Sequence, residues 1–389
     1  MKIAFIGQKG IPAISGGVER HVEELATHLA ASGQEVFVYV RSYYTDRALL
    51  EYAGVKLIHI PTIHTKHLDA ITHTFLATIH ALFQNYDIVH YHSIGPSILS
   101  ILVRIFRPGV RVFATFHSRD YLHQKWNVLA RLFLHIAEMM TCTIPEHTIV
   151  ISQTLERYAE KKYNKRFLMI PNGADVAFEP DTSLLTQWDL RPKRYILSVS
   201  RLIKHKGIHY LIKAFNELED TNKVPNNFKL VIVGGPANTE EYVQFLALLA
   251  RGRRNIIFVG EQTGIALETL FSHAYIFVQP SEDEGLSLAL LEAMGHGVMP
   301  VVSNIPANRE AIAQTGVWFQ SKNIDSLKKE LAYFINRPEE VNIFGKMAEE
   351  RVRNEYSWDA IARRTLEAYE DAVRDASHIK EHYAEHRAK

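Results

Sequence analysis

The stretch "MIPNGADVAFEPDTSLLTQWDLRPKR", Met169–Arg194, interrupts one rhythm and precedes its return. Pro171, Pro180 and Pro192 punctuate it, and neither a helical nor a strand period runs through it. It reads as a linker. Before it, short β-rich runs (KIAFIG, EVFVYV, KLIHI, DIVHYH, VRVFATFH, HTIVIS) alternate with longer segments of helical period, such as Val18 to Ala31 closed by Gly33. After it, the alternation resumes with YILSVS, KLVIVGG, NIIFVG, YIFVQPS, MPVVSN and GVWFQ. Strand, helix, strand in this order implies a parallel sheet with crossover helices. The strands are almost continuously apolar, so both faces of each sheet are expected to be covered. The expected fold class is therefore α/β, with two tandem Rossmann-like, doubly wound parallel-sheet domains facing a cleft. The expected domains are residues 1–178 and 190–355. A helical tail, 356–389, is expected to cross back to the first domain and bury Trp358, Ile361, Leu366 and Tyr369.

Bulk properties agree with this division. A chain of 389 residues exceeds one ordinary core and suits two domains. It is 47% hydrophobic and 22% charged, a globular composition. A formal net charge of +1 gives no bulk attraction to nucleic acid. The one cysteine, Cys142, excludes an intrachain disulfide and suits a reducing cytoplasm. The N-terminal run MKIAFIGQKGIP is too short and too broken for a signal peptide, and no uncharged apolar stretch is long enough for a membrane span.

In open α/β sheets, ligands bind at the carboxyl edge of the strands, so the loops just after strands carry the functional candidates. The first loop, GQKGIPAISGGVERHVEEL, brings Gly16 and Gly17 to a helix start. Glycines there allow a close backbone approach, and the helix end offers free N–H groups to a diphosphate. A plain tight turn fits equally well, and the spacing is not the dinucleotide fingerprint. The second, SVSRLIKHKG, presents Arg201 and Lys206, two cations able to neutralise phosphates or simply to be solvated. The third, SEDEGLSLALLEAMGHG, carries Glu284 at a helix lip and Glu292 in the second turn, with Ser287 as N-cap. The amides of Gly285, Leu286 and Ser287 lie between the two acids. Two carboxylates flanking free amides match hydroxyls, then phosphates, then hydroxyls, which is the order in a nucleotide sugar. A fourth loop places His117 at a strand end, with Asp120 and Lys125 on the same wall. A lone histidine among 20 is otherwise unremarked. The PNGAD segment, with Asn172-Gly173, reads as a linker turn.

Taken in order, Gly16-Gly17, His117, PNGAD, Arg201…Lys206 and the E-x7-E pair Glu284…Glu292 resemble the GT-B glycosyltransferases of retaining family 4, also called group 1. The resemblance spans nearly the whole chain. GIPAISGGVERHVEELATHLAASGQEVFVYVR and YLHQKW look most like the subgroup of bacterial polysaccharide rhamnosyl- and glucosyltransferases. The resemblance implies that Gly16 and Gly17 contact the donor diphosphate. It implies that Arg201 and Lys206 stabilise the leaving nucleotide, and that Glu284 holds hydroxyls of the transferred sugar. Glu292 would hold the ribose, Gly285 and Leu286 would complete the cradle, and His117 would lie near the reacting sugar. No metal or other cofactor is implied, because cations and amides meet the diphosphate charge. Two departures bear on donor identity. Leu286-Ser287 stand where many relatives have an aromatic and a glycine, and His117 is followed by Ser118-Arg119 rather than directly by an acid.

The expected partners are a nucleotide-sugar donor, with uridine favoured over guanosine, and a sugar or lipid-linked saccharide acceptor. A lipid-linked acceptor would put the protein in the cytoplasm at the inner face of the plasma membrane. SILSILVRIFRPGVR and HQKWNVLARLFLHIAEMM, with Arg104, Arg107, Arg111, Lys125 and Arg131, are candidates for an interfacial surface, or plain crossover helices. Two rival readings are a sugar-nucleotide epimerase of the same fold and a catalytically silent sugar-nucleotide-binding protein.

Overall fold

The computed structural model describes residues 1–65, 68–119, 121 and 128–387. The chain divides into two compact units, Met1–Asn172 with Trp358–Lys389, and Gly173–Ser357. The boundary therefore falls inside the PNGAD turn, and the segment after it belongs to the second unit.

The first unit is built on an eight-stranded sheet. Its strands are β1 (Lys2–Ile6), β2 (Glu35–Arg41), β3 (Glu51–Tyr52), β4 (Val55–Ile60), β5 (Ile88–His92), β6 (Arg111–Phe116), β7 (His147–Val150) and β8 (Leu168–Met169). They lie in the order β3-β4-β2-β1-β5-β6-β7-β8. All neighbours are parallel except β3, which pairs antiparallel with β4. β3 and β8 have two residues each, too short to show a period in the sequence. Every residue of β5 is buried, as a strand covered on both faces requires. Helix Gly17–Ala31 buries Val22, Leu25 and Leu29, and its chain turns away at Gly33, whose φ is 83°. The terminal helix Trp358–Arg387 packs against helix Gly17–Ala31 in the same unit. It buries Trp358, Ile361 and Tyr369, while Leu366 is half-buried.

The second unit holds a six-stranded, fully parallel sheet. Its strands are β9 (Tyr195–Val199), β10 (Lys229–Val233), β11 (Ile256–Gly260), β12 (Ile276–Gln279), β13 (Met299–Ser303) and β14 (Val317–Phe319). The order is β11-β10-β9-β12-β13-β14. The order reverses at β9, next to β12. Loops leaving these two strands are therefore neighbours at the switch point, where such sheets bind ligands. Helix Ile208–Asp220 buries Leu211, Ile212, Phe215 and Leu218 in a core with Ile196, Leu230, Ile232 and Ile276.

Candidate active site

In the second unit, the loops after β9 and β12 are fastened together. Gly207 adopts a left-handed φ of 72°, and a Cβ there would collide with the Pro280 carbonyl. Only glycine permits this approach. The Glu282 amide donates to the His205 carbonyl at 2.7 Å. As a result, Lys206 Nζ donates to Glu284 Oε1 at 2.6 Å, with side chains 16% and 9% exposed. Ser281 Oγ donates to the same oxygen at 2.7 Å. Ser281 is held in turn by Ser303 Oγ, which donates to its carbonyl at 2.5 Å. Ser287 caps helix Leu288–Gly295, its side chain accepting from the Leu290 amide. Gly285 and Leu286 are buried just before that helix start, and Glu292 is half-buried in its second turn. Arg201 is exposed and makes no ion pair among the described residues. One cation is thus engaged by a carboxylate, and the other faces solvent.

Three residues near this loop went unremarked in the sequence. Glu282 accepts from Tyr210 Oη at 2.9 Å and pairs with Lys322 at 2.9 Å. Burial first, and the Glu282 carboxylate second, push the Tyr210 phenol up to about 12. It therefore stays a donor, and the contacts brace the acidic loop from outside.

In the first unit, Gly16 is the N-cap of helix Gly17–Ala31 with φ 107°, and a Cβ there would strike the Glu19 carboxylate. Glu19 Oε1 accepts from the Lys9 amide at 3.2 Å, and Glu23 Oε2 from the Ala13 amide at 3.1 Å. Tyr44 Oη accepts from the amides of Ile14 and Ser15. Much of this loop is already satisfied from within, and Glu19 opposes part of the helix-end charge. Gly16 and Gly17 can still admit a ligand to the backbone, but their pull on an anion is weaker than the glycine pattern alone suggests.

His117 lies just beyond β6, 7% exposed, within a set of histidines. His92 ends the neighbouring strand β5, and its Nδ1 is 3.3 Å from His117 Nε2. His21, on helix Gly17–Ala31, lies with its ring centroid 4.8 Å from that of His117. Its Nδ1 meets Asn172 Oδ1 at 3.0 Å. Asn172 is thus more than a linker turn, because its side chain orients a buried imidazole. His90 stacks on His92 at 4.3 Å and is fully bonded, to Tyr369 Oη at 2.5 Å and Thr115 Oγ1 at 2.7 Å. Nε2 of His21 and Nε2 of His92 are buried without a partner. Burial holds His21 down at about 4, and burial followed by neighbouring imidazoles holds His92 and His117 well below the usual histidine range. All three are neutral at pH 7, with lone pairs available. Asp120 and Lys125 lie outside the described residues.

Comparison with known proteins decides the family. The model for "Glycosyltransferase Family 4" matches residues 15–178, and that for "Glycosyl transferases group 1" matches residues 187–351. The chain belongs to the group 1, family 4 glycosyltransferases. An uncharacterised glycosyltransferase of Methanocaldococcus jannaschii is 25% identical over 96% of this chain and 99% of its own. Among solved structures, sucrose-phosphate synthase of Thermosynechococcus elongatus superposes with a TM-score of 0.82 at 21% identity, covering 95% of this chain and 98% of that one. Anabaena HepE, solved in complex with UDP-glucose, gives 0.78 at 17% identity, covering 95% and 100%. The fold of this glycosyltransferase is GT-B.

Proposed function

We propose that this glycosyltransferase moves a sugar, with retention of configuration, from a uridine diphosphate sugar to a lipid-linked saccharide acceptor of a cell-surface polysaccharide. The observation that carries the reading is the Lys206–Glu284 pair beside a capped helix start, with Arg201 exposed on the adjoining loop. As a nucleoside diphosphate leaves, negative charge builds on its phosphates. A lysine, an arginine and helix-start amides are preorganised donors for that charge. No resident metal is required at the phosphates. Glu284 holds hydroxyls of the transferred sugar, Glu292 holds the ribose, and His117 serves the reacting sugar. Uridine is favoured by the HepE complex with UDP-glucose.

The lipid-linked acceptor is supported by an apolar face on the first unit. Helix Asp69–Leu82 packs against helix Ser100–Phe106, and the short turn Ile94–Ser97 packs against both helix Asp69–Leu82 and helix Val128–Thr143. These neighbours expose Phe75, Leu76, Phe106, Leu132 and Phe133, with Phe83 80% exposed just after the first. A groove of about 380 Å³ at one end is lined by Pro61, Ile63, Ile71, Phe75 and Leu76. Apolar side chains exposed on neighbouring helices are what an interaction surface offers. The basic contribution of the sequence candidates is partly offset, and Arg131 is exposed on helix Val128–Thr143. Arg104 and Arg111 pair with Glu146, and Arg107 donates to the Leu82 carbonyl. No helix among the described residues is long and apolar enough to cross a membrane.

The test is calorimetry and thermal shift of the metal-free protein with UDP, GDP, dTDP and ADP, repeated on Glu292→Ala. UDP is expected to bind preferentially, and the variant to lose most of that affinity. Failure of all four nucleotides to bind would instead favour a silent assembly protein.

A further inference from the structure

We propose that His21, His92 and His117 form a three-nitrogen binding site for a zinc-like divalent transition metal in the first unit. Each offers one ring nitrogen, and the three nitrogens lie within 4.8 Å of one another. They come from three elements: a helix, the end of β5 and the loop after β6. The arrangement therefore depends on three separate elements rather than on one flexible segment.

Two distances favour ligation over a simple hydrogen-bonded stack. The 3.3 Å between His92 Nδ1 and His117 Nε2 is long for an N–H donor and a ring acceptor. It equals the ~3.3 Å edge of a tetrahedron whose metal–nitrogen bonds are ~2.0–2.1 Å. Two ligands already stand at bonding separation, and the third has only to swing in. His21 is prepared for that step. Asn172 Oδ1 accepts from its Nδ1 at 3.0 Å, which leaves the lone pair on Nε2, an atom buried without a partner. An outer oxygen that fixes the tautomer is the usual support behind a metal-bound histidine. His90 provides the contrast within the same stack. Both its nitrogens are bonded, to Tyr369 and Thr115, so it has nothing left to offer an ion.

The donor set selects the ion. Three imidazoles without thiolate or carboxylate suit zinc, copper, nickel or cobalt, and not magnesium or calcium. Three protein ligands leave a fourth position for water or a substrate oxygen. Bound there, the ion takes the lone pair that His117 would offer to substrate, so zinc should slow transfer. That consequence alone rests on the glycosyl-transfer reading; the site itself does not.

The experiment is equilibrium dialysis of the chelator-treated full chain against Zn²⁺, followed by visible spectroscopy with Co²⁺ and zinc-edge anomalous diffraction. One equivalent per chain is expected, with intense four-coordinate cobalt bands and an anomalous peak among the three rings. The double variant His21→Gln, His92→Gln should lose that equivalent. Asn172→Ala, which keeps all three ligands, should bind it about 10- to 100-fold more weakly. Absence of zinc from the wild-type protein would overturn the proposal, as would an anomalous peak elsewhere or unchanged binding in the double variant. The wild-type spectrum and diffraction decide the matter even if the double variant does not fold. UDP binding measured on the same samples reports separately on the nucleotide reading.

Discussion

At the scale of single residues, the ion pair of Lys206 and Glu284 is the most informative contact. Lysine is a flexible point charge, and here it is held by a carboxylate. A diphosphate must compete with Glu284 for it. Lys206→Ala should therefore weaken UDP binding about 10- to 100-fold, the range for a charged hydrogen bond worth ~1.5–3 kcal/mol. Glu284→Gln removes the competitor, and UDP should bind at least as tightly while transfer falls. Calorimetry on the two variants separates these outcomes. Equal weakening by both would mean that the pair only braces the loop. The sequence supplied both residues as candidates but not their engagement, because they are 78 positions apart. The same limit hid His21 and His92. His92 ends the DIVHYH run as His117 ends VRVFATFH, so the strand-end rule that singled out one applied equally to the other. His21 left no such signal, since its partner Asn172 is 151 positions away.

At the scale of elements, the critical junction is the turn between Lys206 and helix Ile208–Asp220. Gly207 combines a left-handed φ with direct approach to the Pro280 carbonyl. Gly207→Ala should cost about 1–3 kcal/mol from strain alone, and more as the backbone retreats. The loop after β9 would then move away from the loop after β12. Differential scanning calorimetry should show a lower Tm, and UDP affinity should drop along with it. Retained affinity at a lowered Tm would show that the two loops need not touch for binding. Ser287 as N-cap was legible in the sequence because a cap is local chemistry. The two-residue strands β3 and β8 were not, because pairing with a neighbour rather than their own pattern makes them strands.

For the whole molecule, two bulk responses follow from burial. His21 and His73 are held at about 4, chiefly by burial, against 6.5 in an unfolded chain. Below pH 6.5 the unfolded chain takes up protons that the folded chain refuses until about pH 4. Stability should therefore be full above 6.5 and fall as pH drops through that window, by up to about 1.4 kcal/mol per pH unit for each histidine. Urea unfolding at several pH values measures this, and a flat profile would contradict neutral burial. The apolar face gives the second response. Phe83→Ser with Phe106→Ser should reduce co-sedimentation with phospholipid vesicles while leaving Tm nearly unchanged, since both side chains are exposed. Glu146 offsets only one of Arg104 and Arg111, and Arg107 and the exposed Arg131 keep their charge, so binding to anionic vesicles should weaken as salt rises. Vesicle binding unchanged by salt would show that these cations contribute nothing.

The sequence by itself determined the α/β class, the restart of the alternation after Arg194 and the loops that carry the charged and glycine residues. Those are properties of local period, turn chemistry and strand-end placement, each written within a few residues. The tertiary structure alone decided which loops touch. Strand order put β9 beside β12, so Lys206 reaches Glu284, and β5 beside β6, so His92 reaches His117. It also turned Asn172 from a linker residue into the support of a buried imidazole. The physical reason is that sheet order follows from how helices and strands bury one another over long separations, and no short window of sequence contains that information.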